Sequence, residues 1–392
     1  VVAAESEEGP EAGSGSTVLL LDLTGGYGEF LLRVDVVVKQ ARRPPPDAKF
    51  WSKQSAVDEN EYRIRGQMVG PGASRRAAPD GLMIRGTKGY SAWVARFSEN
   101  LIARGTFPLA IVGCIAAAIV QMQSGVAVEV ATSTTILGAY VFLATLERFF
   151  PLHPEWSISH GDGRADLGLG LTNAALTFAV QPVLLGLGAG LAGWLAVHFG
   201  GSLWPDSWPL ALQLVPALLL AELFEYTCHR AMHEVPWLWR IHAPHHSATR
   251  LYWFNALRFH PLDTLLVGPG KLIPLVALGA GEQLLALVIV FAAVHGSCQH
   301  ANIPCRIGPL NWVFSMAELH RWHHSPIAAE ANHNYGGNLI VWDIVFGTRW
   351  LPEGREPPVR TGIEELPSFP RTYRALMGAP FRWREVLREG GR

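Results

Sequence analysis

The chain has 392 residues, with 49% hydrophobic and only 17% charged side chains, 14 tryptophans, 40 glycines and 27 prolines, a membrane composition rather than that of two or three soluble domains. Its 32 basic residues nearly cancel 33 acidic ones, so nothing in the charge points to a nucleic-acid partner. Four cysteines (Cys114, Cys228, Cys298, Cys305) without a C-x-x-C pair read as reduced thiols in apolar surroundings, with no disulfide framework.

Residues 1–90 are rich in proline, glycine and charge, as at Pro44, Pro45, Arg75 and Arg76, and lack long apolar runs, which predicts mostly disorder. Within them, residues 18–38 alternate around Gly25 and Gly26 as a β-hairpin does, although two strands alone are only marginally stable. Position 1 is not Met and no basic-then-apolar leader follows it. A mis-called extension, with the start near Met68 or Met83, is therefore the competing expectation.

From Phe107 the chain becomes a series of apolar stretches, 107–122, 132–146, 169–199 and 208–227, then 262–278 and 283–298. A helix needs about 20 apolar residues to cross a bilayer core. The third and fourth stretches reach that length and the first two approach it. The last two, separated only by residues 279–281, read as a helical hairpin that crosses twice or dips in and returns.

Lys88, Arg96 and Arg104 precede the first stretch, Arg148 and Arg164 follow the second, and Arg230, Arg240, Arg250 and Arg258 follow the fourth. Arg306, Arg321, Arg349, Arg355 and Arg360 follow the hairpin. The positive-inside tendency puts all of these, and both termini, on the cytoplasmic side. The expected fold is an all-α integral membrane bundle, with four long transmembrane helices in the region 91–228 plus the hairpin 262–298. A cytoplasmic histidine-rich helical cap within 229–350 covers it, and a cytoplasmic tail, 351–392, follows.

Twelve of the 15 histidines lie in 229–333, most of them grouped as H-R-A-M-H (His229, His233), H-A-P-H-H (His242, His245, His246) and H-R-W-H-H (His320, His323, His324). Imidazole is the commonest protein metal ligand, and spacings of three and four bring successive rings to one helix face. One such pair suits a single ion, whereas three boxes supply too many ligands for one site. Nitrogen donors suit iron, zinc and copper alike, so ligand type leaves the metal open.

Glu222 and Glu225, one or two turns before His229, are placed to orient ligand rings from a second layer. Asp343 either tethers a ligand through its ring N–H or pairs with Arg349 or Arg321. His260 in R-F-H-P and His333 in N-H-N-Y-G stand between ligation and hydrogen bonding, while Asn334 and Asn338 suit a turn that closes the site. His295 joins the candidate ligands, but in an ideal helix it points about 140° away from His300, and both reach one ion only if Gly296 breaks the helix. His153, His160 and His198 are lone and read as structural, and Trp237, Trp239, Trp253 and Trp312 read as an interfacial belt.

The run Glu222, Tyr226, His229, Arg230, His233, Trp239, His242, His245, His246 and Ser247, then His300 and Asn302, then H-R-W-H-H-S and H-N-Y-G-G-N-L-I-V-W-D-I-V-F-G-T, resembles the fatty acid hydroxylase and sterol desaturase superfamily. The match spans residues 140–350. The resemblance implies a bacterial-type membrane oxidoreductase holding two iron ions (Fe2+/Fe3+), with zinc as a substitute, that uses O2 to hydroxylate or desaturate a sterol, fatty acyl or related lipid. It also adds His300 to the ligands.

Cleaving an unactivated C–H bond needs an oxidant stronger than any side chain, which agrees with a metal. Soluble di-iron bundles use Glu and E-x-x-H pairs, whereas this chain offers almost only imidazoles. It has no Rossmann glycine fingerprint, haem attachment motif or ferredoxin-like cysteine run. Electrons are therefore expected from a separate ferredoxin or cytochrome b5-like donor with its reductase, docking on Arg240, Arg250 and Arg258, at a bacterial inner membrane. The alternative is a non-catalytic or transport-type membrane metalloprotein that binds zinc or iron through the same histidines. Transport wants ligands near the bilayer midplane, whereas these lie at helix ends and in loops.

Overall fold

The computed structural model describes residues 2–7, 16–22, 31–38, 62–69 and 88–391, with side chains from residue 100 onward. The chain divides into two compact units, Val1–Ser98 and Glu99–Arg392. In the first, β1 (Val2–Glu7), β2 (Ser16–Asp22), β3 (Leu31–Val38) and β4 (Tyr62–Val69) pair in sequence order as an antiparallel meander. The β2–β3 pair, in register from Ser16 opposite Val37 to Asp22 opposite Leu31, is the hairpin expected around Gly25 and Gly26. These four strands lie within residues 1–90, expected from the sequence to be mostly disordered, and most of the remainder of that range falls outside the described residues.

The second unit is helical, apart from one bridge between Phe314 and Leu339. It contains α1 (Lys88–Gln123, which starts in the first unit), α2 (Val128–Phe149), α3 (Gly163–Phe199), α4 (Leu210–Glu234), α5 (Pro236–His246), α6 (Pro261–Leu278) and α7 (Glu282–His300). Short helices follow, α8 (Ala317–His323), α9 (Ala328–Ala331), α10 (Val341–Val345), α11 (Tyr373–Gly378) and α12 (Trp383–Gly390). Six of these, α1 from Asn100, α2, α3, α4, α6 and α7, are long and apolar enough to cross a membrane.

Local chemistry sets their limits. The His260 ring caps α6 by accepting from Leu262 N, with Pro261 in the first turn, where its missing N–H costs nothing. Gly200 and Gly279 end α3 and α6 in the left-handed region, at φ 78° and 99°. In the apolar helices, Thr106, Thr132, Thr134, Thr145 and Thr172 return their hydroxyls to carbonyls one turn back, which satisfies these donors within their own helices.

Although α6 and α7 are joined by the short turn that the sequence suggests, their arms diverge. Helix α6 packs between α3 and α4, while α7 packs against α2 and α4. The α4–α6 approach is close because Gly270 has no side chain; a Cβ there would overlap the Phe224 ring.

All six long helices share one end, where the cap is tied to them. Arg306 N donates to Ala103 O of α1 at 2.8 Å, and Glu147 near the end of α2 accepts from Trp253 N at 2.6 Å and Asn302 N at 2.7 Å. At the start of α3, Asp166 binds Arg258 and accepts from Tyr252 Oη at 2.7 Å, while Asp162 accepts from Arg250 Nε at 2.7 Å. Of the three arginines expected to face a partner protein, Arg240 is half-buried, and the other two are thus buried, Arg258 at 2% and Arg250 at 6% exposure. Their remaining donors are committed to Pro244 O and Ser247 Oγ, and to Trp156 O. Removing one partner of a buried pair costs about 3–5 kcal/mol, so these charges hold the cap on the bundle and form no docking face.

The expected tail is also part of the cap. Leu366, Phe369, Leu376 and Val386 pack against Ala165 and Leu169 of α3 and Ala243 of α5, and Tyr373 Oη meets Thr172 Oγ1 at 2.7 Å.

Candidate metal centre

The helical spacing of the histidines decides which rings meet. Two groups converge: His229, His233, His242, His246 and His323, and next to them His245, His300, His320 and His324. Within each group the candidate ligand atoms lie within 4.8 Å of one another. Every i,i+4 pair (His229/His233, His242/His246, His320/His324) enters a single group, because four residues advance a helix by only about 40° beyond a full turn. The i,i+3 pairs and the two His-His dipeptides are split, one ring to each group.

Hydrogen bonds behind the rings fix which nitrogen points inward. Nδ1 of His229 donates to Tyr335 O at 2.7 Å, of His323 to His333 O at 2.8 Å, of His300 to Gly296 O at 2.8 Å and of His245 to Arg258 O at 3.3 Å. His242 Nδ1 donates to Asp263 Oδ2 at 2.7 Å, and His233 Nδ1 to Asn332 Oδ1 at 3.1 Å. With the proton on Nδ1, each Nε2 presents a lone pair to the centre of its group.

These lone pairs face one another. The Nε2 atoms of His229 and His323 are 3.0 Å apart, those of His229 and His242 3.0 Å, those of His233 and His246 3.1 Å, and those of His245 and His300 3.3 Å. Two neutral imidazoles with both lone pairs turned inward repel, so no hydrogen bond explains the contacts. A shared cation does. With metal–nitrogen bonds of about 2.1 Å, two ligands on one ion stand about 3.0 Å apart at a right angle and about 3.4 Å at the tetrahedral angle. The residues therefore fit metal ions.

Burial, with repulsion from neighbouring rings added, holds His245, His246, His320, His323 and His324 well below the usual histidine range. They are neutral, as ligands must be, at ordinary pH.

Nine of the ten candidate ligands from the sequence come together. His295 stands apart, fully buried among Phe107, Phe291 and Phe314 at ring distances of 5.3, 5.6 and 6.1 Å, because α7 continues through Gly296 without a break.

The candidate second layer divides. Glu222 and Glu225 hydrogen-bond to no ligand ring; both accept from Asn338, and Glu225 pairs with Lys271 at 3.0 Å. Asp343 forms neither a ring tether nor an arginine pair. It accepts from Tyr335 N, Gly336 N and Thr348 Oγ1, and so shapes the loop whose Tyr335 carbonyl holds His229; burial raises its carboxyl despite these bonds. His333 contributes its carbonyl rather than its ring, which stacks on Trp350. His260 caps α6 and donates to Met377 O. Trp239 lies against His233 and His246 rather than in a belt.

The sequence reading missed Asp263. Its only sequence signal is a carboxylate in the first turn of an apolar helix, which reads equally well as favourable charge at a helix start. An Asp263→Ala change leaves the His242 ring without its acceptor, and we expect iron affinity to fall by about 10–100-fold in a metal titration with the fold retained. Unchanged affinity would remove Asp263 from the site.

A cavity of about 220 Å³ reaches His229, His242, His245, His300 and His320. A second, of about 230 Å³, lies between α3, α6 and α7 and is lined mainly by leucine, valine and isoleucine. The two meet at Thr264, Gly268, Lys271 and Ala292, which line both. An apolar cleft among membrane-type helices thus leads to the histidines, with the Lys271–Glu225 pair at the junction.

The fatty acid hydroxylase family model matches residues 214–348, which include all nine clustered histidines. The chain is 35% identical to ornithine lipid hydroxylase of Rhizobium tropici over 251 residues, covering 62% of this chain and 74% of that protein. It is 26% identical to alkylglycerol monooxygenase of Caenorhabditis elegans over 156 residues, 40% of this chain and 30% of the relative. Against sphinganine C4-monooxygenase 2 of Arabidopsis thaliana it is 28% identical over 161 residues, 40% of this chain and 61% of the relative. No solved structure matches the chain.

Proposed function

The chain belongs to the fatty acid hydroxylase family of oxygen-dependent lipid hydroxylases, and we propose that its nine clustered histidines hold two iron ions with which it hydroxylates a polar membrane lipid. The observation that carries this reading is the junction of the two cavities, because it connects inward-facing ligand nitrogens with an apolar cleft open to a lipid chain. A purely structural zinc staple has no use for such a passage.

Two irons bound there supply the oxidant for RH + O2 + 2 e− + 2 H+ → ROH + H2O, chemistry that no side chain provides. The protein supplies position. Leu176, Leu184 and Leu272 line the cleft that would take the hydrocarbon chain, and Gly268 keeps the junction open. The Lys271–Glu225 pair stands where the polar part of the lipid would lie. Phe259, stacked on His245 with ring centroids 4.2 Å apart, walls the inner cavity with carbon. Which carbon reacts then follows from how far the bound lipid extends past the junction.

The named relatives act on ornithine lipid, alkylglycerol and sphinganine, amphiphiles with a polar part next to a chain, and all are hydroxylases or monooxygenases. This favours hydroxylation of a lipid of that kind over desaturation. The arginines flanking the helices support a cap on the cytoplasmic side of a bacterial inner membrane, with a separate protein donor supplying electrons.

Comparing lipids of cells with and without the gene, grown under oxygen-18 gas, tests the proposal. A polar lipid carrying one labelled oxygen only when the gene is present is the expected result. A lipid profile indifferent to the gene would end the hydroxylase reading.

A further inference from the structure

Of the nine clustered histidines, eight are buried and His233 alone is partly exposed. Its ring, with that of His246, forms part of the wall of a third cavity, of about 500 Å³. This cleft shares no lining residue with the two cavities on the lipid side, so the histidine groups are approached from two separate directions. Trp239 lies in its wall, with ring centroids 5.2 Å from His233 and 5.5 Å from His246.

Helix α12 forms another part of the wall through Trp383 and Leu387, one turn apart, while Val386 is buried against the rest of the cap. The other faces of this C-terminal segment are basic. Arg371, Arg374, Arg382, Arg384 and Arg388 are all exposed, against only Glu385 and Glu389 between residues 371 and 391. Among the described residues none of the five arginines forms an ion pair, unlike Arg230, Arg250, Arg258, Arg306 and Arg355 elsewhere in the unit.

We infer that a separate one-electron protein donor docks at this cleft, its acidic surface on the arginines of α11 and α12 and its redox centre towards the Trp239–His233 edge. The inference rests on the hydroxylase reading, whose stoichiometry requires two electrons per O2, delivered singly by such a carrier. The lipid side is an unsuitable entry, because it is occupied by substrate and must exclude water. The cleft offers the one ligand ring that a soluble partner can approach, and unpaired surface charge beside it steers an oppositely charged protein to that spot.

The test uses the full chain in detergent, a reduced acidic [2Fe–2S] ferredoxin as probe, and the exposed double change Arg384→Glu with Arg388→Glu. Ferredoxin binding is measured on both the metal-free and the iron-loaded protein, and ferredoxin oxidation is followed by absorbance on the iron-loaded one. We expect the double change to weaken binding and slow ferredoxin oxidation by about tenfold or more, with high salt doing the same to the wild type. Iron content and reduction by dithionite, which needs no docking, stay at wild-type values.

A wild type whose ferredoxin binding is absent or insensitive to salt, or a variant equal to it, overturns the inference. So does a variant that keeps its ferredoxin kinetics but loses affinity for vesicles rich in anionic lipid, since the arginines then serve the membrane surface. Failure of the hydroxylase reading shows elsewhere, as a chain without iron or labelled lipid, and leaves the binding result on metal-free protein to be read independently.

Discussion

We expect His323→Ala to abolish hydroxylation and, on the proposed two-iron reading, to lower bound iron from about two ions per chain to one or none. The ring is fully buried, its Nδ1 is held by the His333 carbonyl, and its Nε2 lies 3.0 Å from that of His229, so no neighbouring side chain is positioned to replace it. Metal analysis of the purified variant, beside the oxygen-18 lipid assay, checks this directly. His295→Phe serves as the contrast: that ring sits in an aromatic cage away from both groups, and iron stays at the wild-type level. A His323→Ala protein with full iron and full activity would refute the metal assignment.

Gly268→Leu separates lipid access from metal binding. Gly268 lines both cavities where they meet, and nothing lies within 4 Å of the position its Cβ would take. A leucine there fits without displacing backbone and fills the passage. Misplacing a reacting group by about 1 Å costs about 100-fold in rate, so turnover should fall by about that factor or more while iron content and thermal stability hold. A variant that turns over lipid at the wild-type rate would show that substrate arrives by another route.

Much of the architecture is written in the chain's hydropathy. Each of the six apolar stretches falls on one long helix, the fourth beginning two residues ahead of α4, and the flanking arginines cluster at the end that carries the cap. The histidine boxes are equally legible, because imidazoles at helical spacing have few other purposes. What periodicity does not reveal is which rings share an ion, since that depends on the angle at which each helix meets the others. His242 and His245 belong to one box yet enter different groups.

Three further points are invisible for the same reason. Asp263 becomes a ligand partner only because α6 begins beneath α5. Arg250 and Arg258 read as surface charge until Asp162 and Asp166, more than eighty residues earlier, arrive to bury them. Asp343 looks like a side-chain partner for a ring, whereas it organises backbone amides, a role that residue type alone does not signal.

The split of each His-His dipeptide has a consequence for assembly. His245 and His246 are joined by one peptide bond but look into different groups, as do His323 and His324. An ion captured by one group therefore clamps two backbone segments that also carry donors for the other. With two ions bound as proposed, the arrival of the first would prepay much of the ordering entropy that the second faces, which would favour all-or-none occupancy and keep a half-filled site scarce.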